Sequence, residues 1–151
     1  MKYVAYSHCA GDISVPLDIQ EEIGAAITAC SVKPVKRSAP KIRESILGSL
    51  KGAGWSSEVA VAKGSDVTIT SMKADVGLCV QTGNMARMYA DLIKLQTLYL
   101  DNAIQSAVIV VPSNRVAKLV GSNIAEATRL ERELQIFKKA YHVPTLVFGL
   151  D

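Results

Sequence analysis

Apolar positions along this chain recur first at helical spacing, then in alternation, then in both patterns by turns. Met1–Ser7 is β-prone and predicts a strand. Ile19, Ile23, Ala26 and Ile27 share one face of a helix running from Asp18 to about Cys30, with Asp18 and Glu21 as a capping-box-like start. The two prolines of SVKPVKRSAP make positions 31–40 a loop. A second helix begins near Pro40, buries Ile42, Ile46, Leu47 and Leu50, and ends at the GAG of positions 52–54. Alternation then predicts strands at Trp55–Ala62, Asp66–Ser71 and Val76–Thr82, with turns at Gly64-Ser65 and Met72–Asp75. Asn84 caps a long helix to about Leu100, whose core stripe is Met85, Met88, Tyr89, Leu92, Leu95, Gln96 and Tyr99.

The run AVIVVP at 107–112 is wholly apolar and β-branched, as in a strand buried on both faces. A further helix spans about Asn123–Ala140, with Asn123 and Glu126 at its start, and VPTLVFGL at 143–150 is a last strand. A β-α-β-α-β order requires crossover connections and parallel pairing. The expected fold is α/β, tending to α+β in its hairpins: a mixed sheet with helices on both faces, in one domain over 1–151.

Composition narrows the class. Hydrophobic residues at 49% and charged residues at 21% exclude an intrinsically disordered chain. A net charge of +3 does not by itself indicate nucleic acid, but Lys33, Lys36, Arg37, Lys41 and Arg43 fall close together. Such a run is either a solvated linker or an arm for a phosphate backbone. The three cysteines, Cys9, Cys30 and Cys79, lack CxxC spacing, which argues against a disulfide framework or structural zinc and for a reducing cytoplasm. The start of the chain lacks a signal-peptide pattern, and no apolar segment approaches the roughly 20 residues that span a bilayer.

Chemistry concentrates between Asp66 and Gln96. Alternation places Asp66, Thr68 and Thr70 on one strand face and Gly77, Cys79 and Gln81 on one face of the next. With Val76, Leu78 and Val80 packed inward, Asp66, Cys79 and Gln81 are expected to look into a common cleft. Each has a plainer explanation: Asp66 as a solvated turn residue, Cys79 as a small core residue, Gln81 as an amide that needs partners. Arg87, Asp91 and Lys94 lie on another helix face, either as a ladder of weak ion pairs or with Arg87 or Lys94 meeting a phosphate. His8 and His142 lack a catalytic neighbourhood in the sequence and read as structural, and Trp55 reads as core.

From about Glu44 to Pro112 the chain resembles the PD-(D/E)XK restriction-endonuclease-like superfamily, in its Bgl-type branch. The similarity lies in a helix ending in GAGW, the strand SEVAV, a strand beginning at Asp66, then CVQTGN, the helix YADLIKLQTLY and the strand AVIVVP. Members carry an acid on the second strand and Glu-Val-Gln or Glu-x-Lys on the third. The resemblance therefore implies catalytic positions at Asp66, Cys79 and Gln81, with Cys79 standing where a metal-binding Glu belongs. It implies Mg²⁺ or Mn²⁺, held weakly by Asp66 and Glu44 with a carbonyl from Val80 or Gln81. Double-stranded DNA is the implied partner, contacted by Lys36, Arg37, Lys41, Arg87 and Lys94, and a homodimer would match its two-fold symmetry. The expected protein is a degenerate nuclease that binds DNA. The rival is a non-enzymatic interaction module, an oligomer with a protein or small-molecule partner. A small-molecule pocket around Cys79 and Gln81 is the third reading.

Overall fold

The apolar run at the middle of the chain becomes the central strand of a five-stranded sheet. A computed structural model describes residues 1–151. In chain order the elements are β1 (Tyr3–His8), α1 (Gly11–Ser14), α2 (Leu17–Ala29), α3 (Ala39–Gly52), β2 (Val59–Ala60), β3 (Thr68–Ile69), β4 (Ser71–Lys73) and β5 (Val76–Val80). Then come α4 (Met85–Leu100), β6 (Ser106–Pro112), α5 (Asn114–Val120), α6 (Ala127–Phe137) and β7 (Thr145–Leu150). The sheet order is β1-β7-β6-β5-β4, with β5, β6 and β7 parallel and the edges β1 and β4 antiparallel. A separate ribbon pairs β2 with β3.

Every residue of β5, β6 and β7 is buried, because both sheet faces are covered. One face packs Val76, Leu78, Val80, Val108 and Val110 against α2, α3 and α5 through Ile23, Ile27, Ile42, Ile46 and Val116. The other packs Cys79, Ala107, Ile109 and Val147 against α4 and α6 through Met88, Leu92, Leu95, Leu130 and Leu134. Gly77 is a close approach beneath α4: a Cβ there would stand 3.0 Å from Leu95 and 3.1 Å from Ile104. The mixed sheet with helices on both faces is thus the fold the sequence predicts.

Local differences have identifiable causes. The expected strand Asp66–Ser71 breaks at Thr70. Thr68–Ile69 joins the ribbon and Ser71–Lys73 joins the main sheet, so the expected turn at 72–75 tightens to Ala74–Asp75, with Ala74 at φ 51°. Thr70 Oγ1 accepts from Val80 N–H at 3.1 Å, replacing a main-chain ladder bond where the strand changes sheets. Helix α2 starts after Pro16 without a side-chain cap, so Asp18 serves its first turn rather than capping it. Glu126 alone caps α6, accepting from the N–H groups of Thr128 and Arg129. Asn123 is held at φ 53° in the preceding loop, where its carbonyl accepts from Met85 N–H. Helices α1 and α5 were not anticipated. Ser113 caps α5, and Val116, Ala117 and Val120 give it a buried stripe.

Candidate functional site

The C-terminal end of β5, the 81–84 loop, the first half of α4, the start of α3 and the β2–β3 ribbon surround one cleft of about 590 Å³. Its polar lining is Arg43, Glu58, Thr68, Thr70, Gln81, Thr82, Arg87, Asp91 and Lys94. Gln81 lies just past β5, where the chain leaves the sheet toward the N-terminus of α4. Its Oε1 accepts from Gly83 N–H at 3.1 Å, and its Nε2 donates to Asp91 Oδ2 at 2.7 Å. A main-chain N–H only donates and a carboxylate only accepts, so these two partners fix the amide orientation. Asp91 is buried, and Lys94 Nζ compensates its charge at 3.1 Å. Gln81, Asp91 and Lys94 therefore form one chain of contacts, and the Gln81 side-chain carbonyl already accepts from Gly83 N–H.

Cys79 does not open into this cleft. It is 1% exposed and packs with the core beneath α4. The alternation was read correctly, but β5 lies between β4 and β6 and α4 covers the Gly77–Cys79 face, so only Gln81 emerges. Burial pushes the Cys79 thiol well above its ordinary range, and nearby Asp91 pushes it further. A hydrogen bond from the Thr70 backbone and the charges of Lys94 and Arg43 oppose this without reversing it. Cys79 stays a neutral thiol.

Other expected site residues separate. Asp66 is exposed at the tip of the β2–β3 ribbon and does not line the cleft. Glu44 is exposed on α3 and also lies outside it. Lys36 and Arg37 are exposed on the segment that leads into α3, which is pinned by the bond from Arg37 N–H to Val120 O at 3.0 Å, and Lys41 is exposed in the first turn of α3. The start of α3 reaches the cleft rim at Ala39, Pro40 and Arg43. Arg87 and Lys94 do line the cleft. Residues that sequence reasoning left unassigned are Arg43, Glu58, Thr70 and Asp91. Arg43 donates from Nε to Val80 O at 3.3 Å. Neither Arg43 nor Arg87 takes part in an ion pair.

These donors do not fit Mg²⁺ or Mn²⁺. A hard cation needs converging carboxylate or carbonyl oxygens. Thr70, between β3 and β4, faces the β5 end, Cys79 is a buried neutral thiol, Asp91 is committed to Gln81 and Lys94, and Glu58 is a single carboxylate. The Val80 carbonyl is occupied by Arg43. No three His, Cys, Asp or Glu side chains come close enough to share an ion. The expected metal pair of Asp66 and Glu44 does not converge here. The cleft is also not the apolar small-molecule pocket of the third reading. An apolar groove of about 380 Å³ lies elsewhere, between α4 and the end of α6, lined by Tyr89, Leu92, Ile93, Phe137 and Tyr141.

A mixed sheet with this helix arrangement and a polar cleft at the end of β5 is the restriction-endonuclease-like architecture. The sequence model of the restriction endonuclease BglII/BglIII family matches residues 3–150, and the chain belongs to that family. The crystal structure of restriction endonuclease BglII complexed with a DNA 16-mer superposes with a TM-score of 0.89 at 14% identity, over 100% of this chain and 78% of that one. Free BglII superposes with a TM-score of 0.78 at 15% identity, over 100% of this chain and 80% of that one. No curated protein sequence matches the chain. No helix is long and apolar enough to cross a membrane.

Proposed function

We propose that this protein is a restriction-endonuclease-like protein that binds double-stranded DNA, with phosphodiester cleavage lost or much reduced. One observation carries the reading. The cleft where the family places its chemistry keeps Gln81 and three cations, Arg43, Arg87 and Lys94, while Thr70 and Cys79 stand where acids are needed. Hydrolysis in such a fold needs a divalent ion to activate water and steady the phosphate. With Asp91 committed to Gln81 and Lys94, Glu58 is left as a single carboxylate for that ion, and the remaining chemistry is phosphate recognition. A metal held weakly by Asp66 and Glu44 would lie outside the cleft and would not serve catalysis there.

The unpaired guanidinium groups of Arg43 and Arg87 favour a phosphate oxygen in the cleft, and the exposed Lys36, Arg37 and Lys41 extend the positive surface along the start of α3. The superposition on BglII with its DNA supports a cleft already shaped for a duplex. A homodimer fits the two-fold symmetry of duplex DNA. The test is binding to mixed-sequence duplex DNA across a salt series, together with incubation of supercoiled plasmid with Mg²⁺ or Mn²⁺. Affinity that falls steeply with salt, at about −0.9 in log–log slope per phosphate contacted, with uncut plasmid, is the expected result. Absence of binding at low salt refutes the reading and leaves the interaction module. Rapid plasmid cleavage refutes the loss of catalysis.

A further inference from the structure

The end of β5 has an unusual occupant. Strand β4 pairs with β5 only from Lys73↔Val76 to Ser71↔Leu78, so no β4 residue is paired opposite Val80. Side chains fill that place: Val80 N–H is taken by the Thr70 hydroxyl at 3.1 Å and Val80 O by Arg43 Nε at 3.3 Å. The carbonyl that the family resemblance offers to a divalent ion here holds a guanidinium.

Arg43 is well placed for this. Ile42 and Ile46, both buried, fix α3 against the sheet, so the base of the Arg43 side chain is anchored while the side chain itself is half-buried along the cleft wall. Nε is used on Val80, which leaves the two terminal amines. No carboxylate pairs with them. No acid stands at 70 or 79, which are a threonine and a buried thiol, and the two carboxylates of the cleft lining, Glu58 and Asp91, form no ion pair with Arg43. A guanidinium is charged at every physiological pH and presents its amines in a plane that matches two phosphate oxygens.

We propose that Arg43 is a built-in cation at the Val80 carbonyl, and that it binds the DNA phosphate entering the cleft so that binding needs no divalent ion. This rests on the DNA-binding reading above. It adds a residue and a metal independence that the reading does not require.

The experiment measures duplex DNA binding by fluorescence anisotropy over a salt series, in EDTA and in Mg²⁺ at matched ionic strength. The proteins are the unmodified chain, Arg43→Ala, Arg43→Gln and Arg43→Lys. The unmodified chain should bind within about twofold equally in EDTA and Mg²⁺. Arg43→Ala and Arg43→Gln should each weaken binding about tenfold and make the log–log salt slope shallower by about 0.9, the loss of one phosphate contact. Arg43→Gln keeps a donor for Val80 O, so it tests the charge apart from the fold. Arg43→Lys keeps the charge and should keep the slope. Neutral variants with an unchanged slope, or unmodified protein that binds at least tenfold tighter in Mg²⁺, overturn the role of Arg43 and leave DNA binding standing. If the unmodified chain does not bind duplex DNA at low salt, the DNA reading itself fails and this inference falls with it.

Discussion

Restoring the acid that the family pattern asks for, Cys79→Glu, should damage the protein rather than repair it. The side chain at 79 is 1% exposed and is surrounded by apolar groups of β6 and α4, and the Asp91 charge opposes ionisation of an acid there. An unfolded Glu ionises near pH 4.3, and burial of this kind raises a carboxyl by about 3 units or more. At neutral pH the folded variant would hold its proton while the unfolded chain releases it, which costs about 3–4 kcal/mol at 1.36 kcal/mol per unit. The added volume costs about 1–3 kcal/mol more. Together these approach the whole stability of a small domain. The deficit grows with pH from the unfolded pKa up to the raised folded pKa and is smallest in acid. Urea unfolding of both proteins from about pH 4.5 to about pH 7.5 should show the gap widening by about 3 kcal/mol. A gap under about 1 kcal/mol that stays flat with pH would mean residue 79 is solvated in the cleft. Stabilisation of the variant by Mg²⁺ would likewise refute the placement of Cys79.

Asp91→Asn removes the charge and one of the two acceptor oxygens that Gln81 and Lys94 use, so it should cost about 1–3 kcal/mol in urea unfolding. It should also tighten duplex binding severalfold by releasing Lys94 to phosphate, and weaker binding would count against a phosphate in the cleft. On the opposite side of α4, burial works against the Glu133 carboxylate, but the Tyr89 hydroxyl and Arg129 outweigh it and hold the group below its ordinary pKa. A depressed folded pKa gives stability that is full above the unfolded value and is lost as pH falls through the folded one. Tyr89→Phe should therefore cost about 1.5 kcal/mol near neutral pH and progressively less in acid, read by thermal unfolding across pH. A cost independent of pH would show that the hydroxyl does not act through Glu133. Gly77→Ala presses a methyl onto Leu95 and Ile104 and should destabilise by about 1–3 kcal/mol, and a neutral result would show that α4 lies further from β5 than described.

Much of the fold was legible because its signals were local. The stripe Ile19, Ile23, Ala26, Ile27, the Asn84 cap and the run AVIVVP each carry their structure within a few residues, and each appears as expected. What escaped was decided by distant partners. Nothing near Thr70 indicates that its hydroxyl will take the ladder bond of Val80 and split one strand between two sheets. The helix α5 had its signal in Ser113 followed by Val116, Ala117 and Val120, but eight residues between a strand and a loop gave too short a period to stand out.

The site was less legible than the fold for a reason that bears on its chemistry. Alternation assigns faces but does not say which faces are covered, so Cys79 and Gln81, two residues apart on one face, have opposite fates: one beneath α4, the other beyond the end of β5. Asp66 is the acid of the expected strand, yet the position that reaches the β5 end belongs to Thr70. Arg43 was counted within a basic run and went unnoticed as a site residue, because its partner is a carbonyl 37 positions away. Thr70, Cys79 and Arg43 form a mutually consistent set. Without an acid at 70 or 79 the end of β5 has little attraction for a divalent ion, and Arg43 has no acid there to capture it in an ion pair. The guanidinium is left with a neutral carbonyl on one side and open cleft on the other. That is the arrangement in which a phosphate is the natural counter-charge, and in which adding back an acid at 70 alone would trap Arg43 before it could hold a metal.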